Sequence, residues 1–493
     1  MFYIGFDVGS SSIKASLVSA QTGKVVSTVQ EPEQEMAIQS PQTHWAEQDP
    51  ELWWTHVCNA SKRLLAENDL KPDAILGIGI AYQMHGLVLV DDKGTVVRDS
   101  IIWCDSRAVE LGDSAFQQLG ETDCMEHLLN SPANFTASKL AWVKQNEPKK
   151  YERIHKFMLP GDFIAFKFSD EYTTTISGLS EGILWDFKHS APAEMVMDYY
   201  QIDKNLLPQI VDTFGHQAKV SDKGAEESGL LAGTPILYRA GDQPNNALSL
   251  NVFEPGEVAT TGGTSGVLYA VTESLNATEG IKLNNFAHVN HNKENPRIGK
   301  LLCINGAGIQ YRWLKDLLNP GPNAYGQMNT MASEVPVGSN NLQIIPFGNG
   351  AERMFDNRTI GSHMCNLNFN QHGQGDILRA ALEGIAFAFV YGMEILKKDN
   401  TPIQVLRAGN DNLFQSKIFS ETIATLINQE IEIYNTTGAI GAARAAGAVD
   451  NAFDVSAVVS ENDYLETFEP LPQKESYEDA FSRWQTALNT IIQ

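Results

Sequence analysis

The same pattern occurs twice in this chain, about half a chain length apart. Residues Phe2 to Val18 read FYIGFDVGSSSIKASLV, and Gly256 to Val271 read GEVATTGGTSGVLYAV. In each, an apolar run enters a turn rich in glycine and hydroxyls, and a second alternating run leads away. That is the pattern of two antiparallel strands joined by a tight hairpin. Its recurrence within 493 residues predicts two similar domains. A boundary around NVFEPGE, dividing the chain into 1–248 and 249–493, gives halves of comparable size.

Between the hairpins, strand-like and helical runs alternate. YIGFDV, SIKASLV, KVVSTV, ILGIGIAY, GLVLVDD and GTVVRDSIIW read as strands. A helix is predicted from Pro50 to Glu67, with Asp49 as N-cap and Pro50 at its first position. In the second half RIGKLLCING, NLQIIPFGNGAERM, IQVLRAGN and EIEIY read as strands. The runs around AGIQYRWLKDLL, GDILRAALEGIAFAFVYGMEILKK, FQSKIFSETIATLIN and TGAIGAARAAGA read as helices. The fold class is α/β.

The turns carry specific chemistry. Asp7 ends the first strand, Gly9 permits the reversal, and Ser10, Ser11 and Ser12 offer hydroxyls and backbone N–H donors, with Lys14 on the return strand. Successive N–H groups in such a turn make a concave anion site, and a carboxylate beside it suits the hydrated Mg²⁺ that accompanies ATP. A plain hairpin with a polar tip would look the same. The second turn, with Gly263 and Thr264, repeats this chemistry. No GxxxxGK[ST] is present, so a phosphate cradle here is not a P-loop.

Net charge narrows the partners. A formal charge of −24 argues against nucleic acid or an anionic membrane, so backbone N–H groups and a metal would have to hold any nucleotide. The five cysteines lack metal-ligand spacing, and no stretch reads as a signal peptide or membrane span, which places the expected location in the cytoplasm.

Further polar groups stand at predicted strand ends. Asp242, in LYRAGDQPNNALSLN, could serve as general base for a sugar hydroxyl or as a helix N-cap, with the amide of Gln243 behind it. Gln83, Met84 and His85 sit at a strand-to-strand junction where Gln and His could bond sugar hydroxyls. Trp103 and Asp105, in IIWCDSRA, offer an aromatic face and a carboxylate, although Asp105 could equally pair with Arg107.

These segments together resemble the FGGY carbohydrate kinases, and within that family its xylulokinase branch. GFDVGSSSIKASLV is similar to the family's first phosphate hairpin, QMHGLVLVD and IIWCDSRA to its sugar-site segments, and FTASKLAWV to a family signature. HWAEQDPELWW, AGDQ, GGTSGVLYAV, QHGQGDILRAALEG and GAIGAARAAG follow in family order. The resemblance implies two ribonuclease-H-like domains of the sugar kinase/Hsp70/actin superfamily, with ATP and sugar meeting in the cleft between them. It implies Asp242 as catalytic base, Asp7 as the carboxylate on the Mg²⁺ side, and Met84 and His85 as ketopentose contacts. GAGIQYRWL is closer to glycerol kinase, which places Gly306 and Gln310 at the nucleotide, and the turn holding Gly409, Asn410 and Asn412 would lie against the adenosine. The implied reaction is phosphorylation of D-xylulose to D-xylulose 5-phosphate. Another sugar or polyol, or a non-catalytic actin-like or Hsp70-like role, are the alternatives, and a homodimer is the family expectation.

Overall fold

The computed structural model describes residues 1–318, 321 and 323–493, without the side chain of Asn412. Its two large sheets share one strand order, the second carrying one strand more than the first. The first contains β1 (Phe2–Val8), β2 (Ile13–Ser19), β3 (Val25–Glu31), β4 (Ile75–Tyr82), β5 (Phe214–Lys219) and β6 (Pro235–Gly241), in the order β5-β6-β4-β1-β2-β3. Here β1, β2 and β3 form an antiparallel meander, while β4 runs parallel to β1 and β6 parallel to β4.

The second sheet contains β7 (Glu257–Gly262), β8 (Gly266–Thr272), β9 (Asn284–Ala287), β10 (Ile298–Ile304), β11 (Val405–Gly409), β12 (Ile431–Tyr434) and β13 (Tyr464–Phe468). Its order is β9-β10-β8-β7-β11-β12-β13. Again β7, β8 and β10 form the meander, and β11 and β12 run parallel to β7. An antiparallel edge strand closes the parallel side of each sheet, β5 on β6 and β13 on β12. The fold is α/β with two ribonuclease-H-like sheets, and the two quoted hairpins are the β1–β2 and β7–β8 turns.

Five helices matter for the site. They are α1 (Pro50–Glu67), α2 (Ile176–Glu181), α3 (Asp242–Ser249), α4 (Gly308–Leu318) and α5 (Gly438–Val449). The start of α1 is as expected, with the Asp49 side chain accepting from the Glu51 N–H at 2.9 Å. After β6 the chain enters α3, and after β12, at the matching place in the second sheet, it enters α5.

The small-residue sequence of α5 now has a reason. The helix leaves the second half and lies on the first sheet, with its backbone almost touching β1 and β4. A Cβ on Gly5 would fall 2.1 Å from the Ala439 carbonyl oxygen, and one on Gly79 would fall 1.9 Å from that of Ala442. Against α3 the fit is equally tight, since a Cβ on Gly441 would lie 1.8 Å from Ser249 Oγ. Only glycine permits such approaches. The two sheets therefore share packing even though their strands do not mix.

Three predicted strands shrink to short pairings outside the main sheets. GLVLVDD contributes only Val88–Val90, paired with Lys156–Met158, GTVVRDSIIW only Ser100–Ile101, paired with Glu47–Gln48, and NLQIIPFGNGAERM only Gln343–Ile345. Gln343–Ile345 is buried against the helices Gln374–Lys398 and Lys474–Ile492 instead, and burial of a short run does not by itself require a sheet neighbour. Among the described residues, no helix is long and apolar enough to cross a membrane.

Candidate active site

Three adjacent parallel strands, β1, β4 and β6, deliver their carboxyl ends to one row. Val8 of β1 is in register with Tyr82 of β4, and Tyr82 with Gly241 of β6. The next residues along this edge are Gln83 and Asp242, with Asp7 just inside β1. Carboxyl ends of parallel strands are where open α/β sheets bind ligands, because the chain leaves the sheet there and side chains face a crevice.

Asp242 is the first residue of α3, and the N-cap is Gly241, so the carboxylate does not serve as the N-cap of this helix. Burial and the charge of Asp7 push its pKa up to about 7, against the pull of hydrogen bonds from Gln243. Burial also raises Asp7, and Lys14, its partner across the β1–β2 pair, opposes that rise. Two carboxylates share one poorly hydrated place, and burial, reinforced by their repulsion, leaves Asp242 near the value suited to a base at neutral pH. The N-terminus of α5 points at Asp7. A Cβ on Gly438 would lie 2.5 Å from Asp7 Oδ2 and 3.1 Å from Asn246 Oδ1, while Thr437 caps the helix. The positive end of the helix favours the ionised carboxylate.

Beside this pair lie Gln83, Met84 and His85. Gln83 is 2% exposed, and neither atom of its amide has a partner among the described residues. Its backbone N–H donates to the Val8 carbonyl at 2.9 Å, which pins the segment to β1. Met84 packs against Gly241, where a Cβ would fall 2.6 Å from Met84 Cγ. His85 has a left-handed backbone, φ 62°, and its ring sits against Phe135 at 4.6 Å and Phe286 of β9 at 5.2 Å. His85 Nδ1 is 3.0 Å from the Glu181 carbonyl oxygen. A carbonyl only accepts, so Nδ1 carries the proton and Nε2 is left as an acceptor. Burial, with help from Lys139, pushes His85 down to about 3 and keeps the ring neutral.

Two of the remaining sugar-side candidates behave differently from each other. Trp103 is 53% exposed and donates from Nε1 to Ser10 Oγ at 3.3 Å, which links its loop to the first hairpin. Asp105 corrects the expectation of a sugar ligand. It is wholly buried, and its carboxylate accepts from the Ala46 N–H at 2.6 Å, the Arg107 N–H at 2.9 Å and the Arg107 guanidinium at 2.7 Å. Its hydrogen-bonding capacity is taken up by its own loop and by the segment of Ala46.

The first hairpin turns through Gly9, Ser10, Ser11 and Ser12 with the Gly9 N–H donating to the Ser12 carbonyl at 3.1 Å. That donor is used internally, and Gly9 does not need a left-handed backbone to make the turn. The second hairpin borders a cavity of about 420 Å³ lined by Gly263, Thr264, Tyr311, Arg312, Tyr325 and Asp411 among others. Gly409 ends β11, and the Asn410 N–H donates to the Tyr434 carbonyl at 2.9 Å, so the 409–411 turn and the hairpin meet at this cavity. The side chain of Asn412 lies outside the described residues.

The segment of Gly306 and Gln310 is tied to the second hairpin beside that cavity, since the Gly308 and Ile309 N–H groups donate to the Gly263 and Thr264 carbonyls at 3.1 and 3.0 Å. Gln310 faces a different one, of about 460 Å³, with Trp313 and Met364, and donates to Ser362 Oγ at 3.1 Å. The Gly306 N–H donates to Glu352 at 3.0 Å, and a Cβ there would fall 2.1 Å from the Pro346 carbonyl oxygen. The reason is helical geometry. Successive residues of α4 are about 100° apart, so Gly308, Tyr311 and Arg312 share one face while Gln310 and Trp313 share another.

Residues 2–249 match the sequence model of the FGGY family of carbohydrate kinases, N-terminal domain. The chain belongs to this family. As a carbohydrate kinase it uses ATP to phosphorylate a sugar. It is 26% identical to a xylulose kinase of Haemophilus influenzae, an alignment covering 99% of this chain and 100% of that protein. Two solved structures share the fold over the whole chain. A xylulose kinase from Rhodospirillum rubrum superposes with a TM-score of 0.89 at 23% identity, covering 100% of this chain and 99% of that one. A gluconate kinase from Lactobacillus acidophilus does so with a TM-score of 0.88 at 20% identity, covering 100% and 98%. One scaffold thus serves different sugars.

Three residues at the site carried no signal that singled them out in the sequence. Glu181, at the end of α2, is buried beside His85 and Asp242. Its Oε2 accepts from the His85 N–H at 3.3 Å, and burial pushes its carboxyl well above the usual range. Lys139 donates from Nζ to the carbonyls of His85 and Ile102 at 2.8 and 3.0 Å, and burial lowers it to about 7. A lysine among the apolar positions of TASKLAWV was the available hint. Gly438 could have been suspected from the Thr-Thr-Gly that opens α5, but nothing in the sequence puts it against Asp7.

Proposed function

We propose that this kinase transfers the γ-phosphoryl group of ATP to O5 of D-xylulose. The observation that carries the reading is Asp242, a carboxylate with a pKa near 7 at the carboxyl end of β6, next to the unpaired amide of Gln83 and the neutral ring of His85. The likeness to the Haemophilus influenzae xylulose kinase over nearly the full length of both chains supports the choice of sugar.

In this reading the sugar lies along Gln83, Met84 and His85. The Gln83 amide and His85 Nε2 satisfy its hydroxyls, and Met84 lies against its carbon chain. Asp242 accepts the proton of the O5 hydroxyl as the O5–P bond forms and the bond from γ-phosphorus to the β–γ bridging oxygen breaks, which leaves ADP. Phosphoryl transfer needs little covalent help beyond this, so positioning and charge supply most of the catalysis. The hairpin of Gly9, Ser10, Ser11 and Ser12, with Lys14, faces the phosphates from the first unit (1–248). Gly263 and Thr264 face them from the second (249–493), with Gly409 and Asn410 on the adenosine side. Mg²⁺ bound with the nucleotide would neutralise phosphate oxygens. Asp7 suits such a hard cation, being a half-buried carboxylate to which no side chain donates among the described residues.

The test is a coupled ADP-release assay over D-xylulose, L-ribulose, D-ribulose, gluconate and glycerol. D-Xylulose should give the highest kcat/KM. Preference for another of these sugars overturns the substrate and leaves the kinase standing.

A further inference from the structure

A second cluster of ligating side chains lies away from the carboxylate row. His127 is the last residue of the helix Glu121–His127, and Asp186 and His189 bracket the turn between the short paired strands Trp185–Asp186 and Ala191–Pro192. The Nδ1 atoms of both histidines lie 2.8 Å from the same oxygen, Asp186 Oδ2. The three ligating atoms lie within 4.8 Å of one another, and the rings are 5.0 Å apart.

We propose that His127, Asp186 and His189 bind a divalent transition-metal ion of the Zn²⁺ class, through the two Nδ1 atoms and Asp186 Oδ2. Two imidazoles and one carboxylate are a donor set that such ions take in preference to Mg²⁺, which favours oxygen. Tetrahedral ligands bound at about 2.1 Å are about 3.4 Å apart, so the 2.8 Å nitrogen–oxygen separations found here need open by only about 0.6 Å to admit the ion.

The frame holds these atoms independently of any ion. The Phe187 N–H donates to the His127 carbonyl at 2.8 Å, and the His189 N–H donates to Asp186 Oδ1 at 3.0 Å. The side chains of Asp186 and His127 are mostly buried, while that of His189 is 65% exposed. A cavity of about 460 Å³ borders the cluster and brings Asp123 and Glu194 near it. Glu194 is paired with Lys204 at 2.7 Å, and Asp123 adds negative charge that favours a cation. Water from the cavity can complete the coordination sphere.

Without metal, each Nδ1 donates to Asp186 Oδ2. Metal binding through Nδ1 requires each of these nitrogens to give up its proton, with the ring then protonated on Nε2. The ion would tie the end of the helix to the hairpin.

The experiment is calorimetric titration of the chelator-treated full chain with Zn²⁺, with Mg²⁺ as the contrast, for the native protein and for His189→Ala and Asp186→Asn. His189 is exposed, so its replacement should fold normally. Native protein should bind one equivalent of Zn²⁺ that Mg²⁺ does not displace. His189→Ala should weaken that binding by at least about 10–100-fold while leaving Mg·ATP-dependent sugar phosphorylation unchanged. Zn²⁺ should raise the melting temperature of the native protein and not that of His189→Ala. Zn²⁺ held instead by the exposed thiols of Cys104 and Cys303 would survive the substitution. Equal Zn²⁺ affinity in native protein and His189→Ala, or no binding to the native protein at micromolar Zn²⁺, overturns the proposal.

Discussion

Replacing Gly438 by alanine tests whether the start of α5 sets the position of Asp7. The added Cβ would stand 2.5 Å from Asp7 Oδ2, whereas ordinary contact begins at 3.4 Å, so the carboxylate or the helix end must give by roughly 1 Å. The helix end has little freedom, because Asn245 Nδ2 donates to the Gly438 carbonyl at 2.9 Å and the next turn is wedged against β1 and β4. The carboxylate is the softer partner and should move. A displacement of about 1 Å in a catalytic arrangement costs on the order of 10²-fold in rate. Stability should suffer less, since Gly438 does not have a left-handed backbone and alanine is the better helix former by about 0.5–1 kcal/mol. The assay is kcat by ADP release at saturating sugar, repeated over a magnesium titration and set beside a thermal melt. The expected result is a kcat loss of about 10²-fold in a protein that melts near the native temperature. A folded Gly438→Ala enzyme with native kcat and native magnesium dependence would refute the placement of Asp7 at the phosphate-side metal.

Other outcomes follow from the same geometry. Asp242→Asn keeps the shape but removes the proton acceptor, so kcat should fall by about 10²–10⁴-fold while sugar binding, read by calorimetry, persists. Because the raised Asp242 carboxyl is protonated below about pH 7, native kcat/KM should fall as pH drops through that value, and a flat profile from pH 5 to 8 would remove it as the base. His85→Ala should lower kcat/KM for D-xylulose relative to glycerol with little change in the KM for ATP, because a hydrogen-bonding site discriminates most when its polar group would be left unpaired. Asp105→Ala should act on stability, by about 3–5 kcal/mol in chemical denaturation, since it leaves the buried Arg107 guanidinium short of a partner. A loss confined to sugar KM would restore Asp105 as a ligand.

What could be read from the sequence was local. The hairpins at residues 9–12 and 263–265, the capped start of α1, the long helical runs and the carboxylate closing each strand depend on neighbours within a few residues, and short-range patterning records them. The duplication was visible as well, because the meander recurs with its turn chemistry intact. The family resemblance added the roles of Asp242, which spacing alone left divided between catalysis and capping, and of Asp7, left divided between a phosphate-side metal turn and a plain hairpin. Tertiary structure decided which groups meet. Asp7, Gln83 and Asp242 are far apart in the chain and become neighbours only because β1, β4 and β6 lie side by side in one sheet. The same long-range packing consumed the Asp105 carboxylate with donors from Arg107 and the distant Ala46, set Gln310 and Tyr311 beside different cavities, and brought Glu181 and Lys139 around His85. It also set Gly438 against Asp7 across more than 400 residues. Periodicity specifies which face of an element is buried, but not what it is buried against. That second fact follows from strand order and helix crossings, and at this site it determined whether a carboxylate could be a base, a loop anchor or neither.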